Sequence, residues 1–342
     1  MANPVINLLG SDSFSSASLT KAILEVPNQF PALPIDDMFA EEPISTTVAQ
    51  MDVETMEINL VPKGARGGGK AIKARQSTRG SRFIDVPSRR IEDSVAAVDI
   101  QNKRQLGVSD LETLETVVIK RQIKMAMALQ STRLYLKMQA LQGKIVDPDG
   151  DTLYDSFTEL GLTRKAISFD LGTATTLISS KMMEAKDYVD EKSTGSPVAM
   201  YRAYCSPTFF RSFVEHANVK DAYKYFESVQ QPLRNDVRSG FVHGDVEWIN
   251  VPNKATVVAA DGSVTTKLFV PDTEAVLVPV GAGLGIEFLA PADHIEFANT
   301  NGLPLYSWSD IDLKNGKLDL VAETDSLPFW AKPLTSIRLT TS

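Results

Sequence analysis

The stretch SDLETLETVVIKRQIKMAMALQSTRLYLKMQALQG, residues 109–143, predicts one long helix with a recognisable start and end. Ser109 and Glu112 match the S-x-x-E capping box, in which each side chain binds a free backbone N–H at the start of a helix. Gly143 is typical of the residue at which a helix stops. At a rise of about 1.5 Å per residue the helix would be roughly 50 Å long. We therefore expect it to brace an extended subunit.

One face of the predicted helix is apolar. Its apolar residues lie three, four or seven positions apart, which places them on one stripe of an otherwise charged rod. They are Leu111, Leu114, Val118, Met125, Leu129 and Leu136. Acidic residues come first along the helix and basic residues follow, in agreement with the sign of the helix macrodipole.

The segment before this helix is strongly basic. The whole chain of 342 residues has a formal net charge of -8. Between positions 63 and 90 the only acidic residue is Asp85, and the nine basic residues are Lys63, Arg66, Lys70, Lys73, Arg75, Arg79, Arg82, Arg89 and Arg90. The segment therefore carries +8 and the remainder -16. Such asymmetry indicates contact with an acidic surface, on another molecule or on another copy of the chain.

We favour acidic faces of sister subunits over nucleic acid as the partner of this basic segment. Clustered Lys and Arg suffice to contact phosphates. Reading bases usually needs aromatic residues or a helix that fits a groove, and Phe83 is the only aromatic residue in the segment. The acidic remainder of the chain would repel a polyanion.

The neighbouring residues predict an arm and a hairpin. Residues 1–50 read as an arm with one short helix at 16–25, because Pro27, Pro31, Pro34 and Pro43 keep the rest extended. We expect this arm to bury little against itself and to be buried on neighbouring subunits. Alternating residues at 46–61 and a second strand at 82–86 predict a long hairpin over 51–90 with a glycine-rich, charged tip.

The residues after the long helix alternate between strands and helices and end mostly in strands. Residues 147–150, Asp-Pro-Asp-Gly, predict a turn between two short strands. We then expect a strand at 166–171, a helix at 175–190, a strand at 199–205 and a helix capped by Ser206. Three further hairpin turns are indicated by Asp261-Gly262, Asn301-Gly302 and Asn315-Gly316.

No catalytic, cofactor or metal site can be named from the sequence. Gly64 to Lys70 match G-x-x-x-x-G-K, but Ala71 replaces the hydroxyl residue that would hold Mg²⁺, so we interpret the segment as a flexible basic loop. The aspartates at 147, 149 and 151 resemble a calcium loop, but its twelfth position is Thr158 instead of Glu. The three histidines lie too far apart in sequence to support a zinc site.

Composition predicts a globular protein that is soluble and intracellular at synthesis. Hydrophobic residues make up 43% of the chain and charged residues 23%. Cys205 is the only cysteine, so an intramolecular disulfide is excluded. We find no signal peptide, and the longest apolar stretch, 275–286, is too short to cross a bilayer.

These elements, in this order, resemble the lambda-type major capsid proteins of tailed bacteriophages, which share the Hong Kong 97 fold. The resemblance covers nearly the whole chain, and its most specific residues surround the long helix. They are Val86-Pro87, Glu92-Asp93, Ala97, Asp99-Ile100-Gln101, Arg104, Leu141-Gln142-Gly143-Lys144, residues 147–150, Leu153-Tyr154-Asp155 and residues 157–161.

The resemblance implies an α+β fold of six parts. These are an N-terminal arm at 1–50, an extended hairpin loop at 51–90, a peripheral domain at 91–164 with its spine helix at 109–143, an axial domain at 165–301, a peripheral-domain loop hairpin at 302–333 and a strand at 334–342 that returns to the core. It also implies that the nine basic residues of the extended loop contact neighbouring subunits.

The resemblance implies that the chain is a structural shell protein with no enzymatic activity and no cofactor. Hexamers and pentamers would form an icosahedral shell that contacts packaged double-stranded DNA non-specifically, in the virion and, during assembly, in the host cytoplasm. A separate scaffolding protein, a portal and a decoration protein are the other partners implied, and no membrane is. Two alternatives stay open: an encapsulin-like bacterial compartment and a nucleic-acid binder that uses the basic loop.

Overall fold

The computed structural model describes residues 15–26, 33–55, 78–101, 114–147, 150–193, 198–221, 241–258, 264–281, 283–312 and 314–342. Its helices are α1 Ser16–Leu24, α2 Ala97–Ile100, α3 Leu114–Leu141, α4 Ser156–Leu160, α5 Ile178–Lys192 and α6 Pro207–Glu215. The strands before α5 are β1 Phe39–Pro43, β2 Val48–Thr55, β3 Thr78–Asp85, β4 Ser88–Val95, β5 Lys144–Val146, β6 Thr152–Asp155 and β7 Ala166–Ser168. Those after it are β8 Met200–Cys205, β9 Phe241–His243, β10 Val246–Asn250, β11 Lys254–Val258, β12 Val264–Leu268, β13 Glu274–Val280, β14 Gly285–Leu289, β15 Tyr306–Asp312, β16 Lys317–Trp330 and β17 Ile337–Thr340.

Helix α3 confirms the long helix over its described length. Its predicted start, with Ser109, Glu112 and Leu111, lies outside the described residues. The predicted stop is correct, because Gly143 has a φ of +79° and a Cβ there would come within 2.3 Å of the Phe157 ring. Only glycine combines this left-handed backbone with so close an approach.

The burial of α3 is wider than the predicted stripe. Val118, Met125, Leu129 and Leu136 are buried, as expected. In the last third of the helix, however, most residues from 134 to 141 are buried, including Lys137. The prediction of a single apolar stripe on an otherwise charged helix is therefore wrong for this part of α3, because the first sheet and the N-terminal segment both pack on it.

The first sheet is organised around the long strand β16. Its first half pairs antiparallel with β4 on one side and β15 on the other, and its last five residues pair with β14. Strand β1 then adds to β14 in parallel. β14 lies within the range predicted for the axial domain, yet it pairs in this sheet.

The second sheet has six strands in the order β7-β17-β13-β8-β10-β9. Helices α5 and α6 supply residues to its core, where Phe169, Phe209, Phe213 and Trp248 are buried against each other. Ser206 accepts a hydrogen bond from Phe209 N and so caps α6 as predicted. The C-terminal strand joins this sheet between β7 and β13.

Of the predicted turns, one is wrong. The strands around 147–150 and around Asn315-Gly316 pair as expected, and β11 pairs with β12 around residues 259–263, which lie outside the described residues. Asn301-Gly302 does not close a hairpin, because the strands on either side of it, β14 and β15, both pair with β16. Gly302 is instead a close backbone contact: a Cβ there would lie 2.0 Å from the Leu289 carbonyl oxygen.

The arm also differs from expectation. Leu33, Ile35, Met38 and Phe39 are buried in the main core of their own subunit, and β1 is a strand of the first sheet. Both described stretches of the arm therefore pack on their own subunit: apolar residues between the prolines contact α3 and β14, and Leu19 and Ile23 of α1 contact α3 and the first sheet. No helix in the described part of the chain is long and apolar enough to cross a membrane.

Candidate assembly surfaces

Strands β2 and β3 form a hairpin that leaves the body of the subunit. Eight residue pairs join them, from Val48 opposite Asp85 to Thr55 opposite Thr78. Among the described residues no third strand pairs with them. At about 3.4 Å per residue this ladder extends roughly 25 Å. A two-stranded ribbon is marginally stable alone, so its outer part needs support from outside the hairpin.

The base of the hairpin is anchored in the main core of the subunit. Ala49 and Val86 are buried in the main core, and Ile84 packs against it. Phe83, one position further out, is 68% exposed. Phe83 is therefore a large exposed aromatic ring next to the anchored base of the hairpin.

The structure places the nine predicted basic residues in three groups. Lys63, Arg66, Lys70, Lys73 and Arg75 lie outside the described residues. Arg79 and Arg82 lie on β3, in the hairpin. Arg89 and Arg90 lie on β4, in the first sheet. The sequence segment therefore divides between the hairpin and the body.

Arg89 has its partners within the subunit. Its side chain is 12% exposed, and Nη2 donates to Asp147 Oδ1 at 2.7 Å. Nη1 also donates to the carbonyls of Pro87 and Ser326, at 3.4 and 3.3 Å. This guanidinium therefore ties the hairpin return to the β5–β6 turn and to β16.

Arg90 is more accessible than Arg89. Its side chain is 44% exposed, pairs with Glu92 Oε1 at 2.9 Å and lies 5.3 Å from the centre of the Trp308 ring. An ion pair this exposed contributes little to stability.

Sequence reasoning missed a buried ionic cluster that holds the N-terminal segment. Glu287 on β14 is 0% exposed and accepts from Arg133 Nη2 at 2.7 Å and from Lys137 Nζ at 2.9 Å. Lys137 also binds Asp36 at 2.6 Å, and Arg133 binds Glu41 at 3.2 Å. Burial alone would raise the pKa of Glu287, but the two cations hold that pKa below its usual value.

A second ionic contact joins the same segment to the second sheet. Arg202 on β8 binds Asp37 at 3.1 Å, Glu247 at 2.7 Å and the Pro34 carbonyl at 2.7 Å. Tyr204 also donates to that carbonyl, at 2.6 Å. The available sequence signal was the acidic pair Asp36-Asp37 between buried apolar residues, since acids in such a position need cationic partners.

Helix α1 docks separately. Thr20 Oγ1 donates to the Ser307 carbonyl at 3.0 Å and accepts from Ser307 N at 3.1 Å. Leu19 and Ile23 are buried against α3 and the first sheet. Gln130 on α3 donates to the Val26 carbonyl at 2.9 Å, just after α1 ends.

The described residues contain no group of three or more acidic, His or Cys side chains placed to hold a metal ion. Cys205 is buried in β8, and burial raises the pKa of its thiol well above the usual value, which suits a packing role.

Comparison with known proteins gives consistent matches over nearly the whole chain. The family model described as phage major capsid protein E matches residues 15–341. The chain is 29% identical to the major capsid protein of Pseudomonas phage KPP10, over 92% of this chain and 93% of that protein. It is 26% identical to the major capsid protein of Salmonella phage Felix O1, over 94% of each.

A solved structure shows a similar fold. The capsid of cyanophage P-SCSP1u aligns with a TM-score of 0.52 at 11% identity, over 89% of this chain and 86% of that one.

Proposed function

The chain belongs to the phage major capsid protein E family, and we propose that its copies assemble into hexamers and pentamers that close an icosahedral shell around packaged double-stranded DNA. It is a structural capsid protein with the α+β Hong Kong 97-type fold, and its place is the virion capsid. The family match over residues 15–341 is the observation that carries the proposal. Assembly in the host cytoplasm with a scaffolding protein, a portal and a decoration protein belongs to the same proposal.

Of the alternatives, an encapsulin-like compartment is not favoured, because the family model and both curated relatives are phage capsid proteins. Nucleic-acid binding through the basic loop remains the second alternative, and DNA binding by unassembled protein would support it.

The mechanism we propose relies on a rigid body and an outlying hairpin. The two sheets and α3 share one main core, which holds the body together. The hairpin is anchored at Ala49 and Val86 and lacks a third strand among the described residues, so a neighbouring subunit would supply the missing support. Many such weak contacts per subunit add up in a closed shell.

We also propose that the basic loop makes electrostatic contacts between subunits. Lys63, Arg66, Lys70, Lys73, Arg75, Arg79 and Arg82 would be the contacting residues, with Arg90 at the rim. Exposed acids of the body, such as Glu42, Asp187 and Asp310, are candidate partners. Arg89 would act indirectly, by fixing the hairpin return through Asp147.

The domain roles are part of this proposal as well. Residues 165–301 would form the axial domain around the five-fold and quasi-six-fold axes. The loop hairpin at 302–333 would meet its counterparts at three-fold contacts. An exposed turn at Asn315-Gly316, held by Asp312 side-chain bonds to the N–H groups of Lys314 and Asn315, suits such a contact.

Electron microscopy of the full-length protein, expressed alone and with the scaffolding protein of the same phage, tests the proposal. We expect angular shells, or rings of five and six subunits. Uniform monomers or dimers under both conditions would contradict it.

The basic loop has its own test. We expect the combined change of Arg66, Lys70 and Arg75 to Ser to reduce shell formation and to weaken its dependence on salt, because screened charge contacts would be lost. The matched control changes Lys124, Lys144 and Lys220, three exposed lysines of the body, to Ser. Equal assembly of both variants and of wild type would refute the contact role, and DNA binding by unassembled wild type would favour the nucleic-acid alternative.

A further inference from the structure

A cavity of about 670 Å³ lies where the base of the hairpin meets the first sheet. Thr46 and Thr47, before β2, line one side, and Val86 and Ser88, around the return from β3 to β4, line another. The loop over 290–299 supplies most of the remaining wall, and Asp325 of β16 lies at the surface of the cavity. The cavity therefore lies next to the base of the hairpin, where β2 begins and β3 ends.

Two carboxyl groups lie on β16 beside this cavity. Glu323 is 0% exposed and Asp325 is 3% exposed. As alternate residues of one strand they point to the same face of the sheet. Asp293 N donates to Glu323 Oε1 at 2.8 Å, which ties the loop to the pair. In the part of the chain that the structure describes, Glu323 Oε2 and Asp325 Oδ1 have no hydrogen-bond donor.

The surrounding charges do not neutralise the pair. Arg89 and Arg90, on the neighbouring strand β4, are paired with Asp147 and Glu92. Among the other facing groups, Asp293 is a further acid, the His294 ring lies tilted against Trp308 with ring centres 4.8 Å apart, and Tyr306 donates to the Ala290 carbonyl. Ser88, opposite Asp325 on β4, is a neutral hydrogen-bonding partner.

Two buried carboxylates side by side repel each other strongly, and one proton shared between them removes the repulsion. The same proton provides the donor that both unpartnered oxygens lack. We propose that Glu323 and Asp325 share one proton and form a latch, which holds the 290–300 loop and the hairpin base against β16 and loosens when the proton leaves.

The titration of Asp325 sets the pH range of the latch. Burial first, and then the charge of Glu323, raise the pKa of Asp325 to about 7. Its carboxyl has a pKa near 3.8 in the unfolded chain. The folded state therefore binds more protons in this range, so stability is highest at acid pH and falls as the pH rises through about 7.

The first experiment measures denaturant unfolding of unassembled full-length subunits at about pH 6 and about pH 8.5. From the shift in Asp325 we expect this site to lower the wild-type folding constant by roughly tenfold across that range. Asp325→Asn keeps the shape of the side chain and removes the titration. The folding constant of this variant should therefore fall roughly tenfold less than that of wild type between the two pH values. The control is Asp310→Asn, an exposed change on β15 that should keep the wild-type dependence. An unchanged slope in Asp325→Asn overturns the proposal.

Hydrogen exchange distinguishes local loosening at the latch from destabilisation of the whole subunit. Between about pH 6 and about pH 8.5, after correction for the intrinsic pH effect, amides of 290–300 and 44–47 should lose protection in wild type and not in Asp325→Asn. If that variant does not fold, infrared spectroscopy of wild type decides: a protonated carboxyl band at neutral pH supports the shared proton, and its absence refutes it.

The consequence for the shell rests on the proposed function. Because the cavity adjoins the hairpin base, proton release should loosen the anchor of the hairpin in an assembled capsid too. All the measurements above use unassembled subunits. Their failure would therefore remove the latch without affecting the capsid assignment, and a failure to form shells would leave the latch intact.

Discussion

Glu287 shows how single residues hold the N-terminal segment in place. Its buried carboxylate meets Arg133 and Lys137, and these two cations also meet Glu41 and Asp36 of that segment. Such a cluster adds little net stability relative to apolar packing, but removing one partner leaves an unpaired buried charge. It therefore specifies where the segment docks.

We expect Glu287→Gln to destabilise the subunit by about 3 kcal/mol, because it leaves two buried cations without their common carboxylate. Denaturant unfolding of the isolated subunit measures this. Glu42→Gln, an exposed change on β1, is the control and should cost less than about 0.5 kcal/mol. Equal effects would show that the cluster has no special role.

The same residue predicts a pH effect opposite in sign to that of Asp325. The folded-state pKa of Glu287 lies below its usual value of 4.5, so its contribution is present above that value and is lost as the pH falls through the folded pKa. In acid titrations Glu287→Gln should lack this component. A wild-type acid dependence in the variant would contradict the ion pairing.

Gly302 illustrates a glycine retained for space. A Cβ would lie 2.0 Å from the Leu289 carbonyl oxygen and 2.8 Å from Ala290 N, and backbone cannot move aside cheaply. We expect Gly302→Ala to cost more than about 2 kcal/mol. Gly172→Ala, where no atom lies within 4 Å of the added Cβ, is the control in the same unfolding assay. Wild-type stability of Gly302→Ala would show that the loop accommodates the methyl group.

At the scale of elements, α3 acts as a brace because its two halves pack on different cores. Leu129 packs in the cluster formed with α1 and the first half of β16, and Leu136 packs in the main core. Leu136→Ala should cost about 2–5 kcal/mol, as fully buried leucines usually do. The control on the same helix is Ile119→Ala, which removes a side chain that is 47% exposed. Similar losses for both variants would contradict the burial pattern.

The N-terminal segment behaves as two elements with different roles. Deleting residues 1–26 removes α1 and its contact with Ser307, whereas deleting 1–45 also removes Ile35, Met38 and Phe39 from the main core. We therefore expect the shorter deletion to leave a folded subunit and the longer one to unfold it, as measured by circular dichroism. A folded subunit after the longer deletion would show that β1 is dispensable.

At the scale of the whole molecule, the two sheets unfold together if the main core is continuous. That core contains Tyr204 and Ile249 from the second sheet and Phe288 and Phe329 from the first. We expect one cooperative transition in denaturant. Trp248 lies in the core of the second sheet and Trp308 on the first sheet. In two variants that each keep only one of these tryptophans, with the others changed to Phe, fluorescence should give the same denaturant midpoint. Two separated midpoints would show that the sheets are independent.

Local elements with strong patterns could be predicted from the amino-acid sequence. The long helix, its stop at Gly143, the Ser206 cap and the Asn315-Gly316 hairpin all depend on interactions within a few residues. The order of these elements also led to the Hong Kong 97 fold, and the similarity to a solved phage capsid confirms that fold. Chain-local patterns are legible because their hydrogen bonds and glycine conformations involve neighbours in sequence.

Contacts between residues that are distant in sequence became visible in the folded subunit. In the sequence, Lys137 belongs to the charged part of the predicted helix. In the structure it is buried beside Glu287, on a strand that begins at Gly285, 148 positions after Lys137. The acidic pair on β16, the contact at Gly302 and the docking of β1 are likewise set by partners far away in sequence. The spacing of residues along the chain does not predict such contacts, because burial and charge pairing are properties of the folded core.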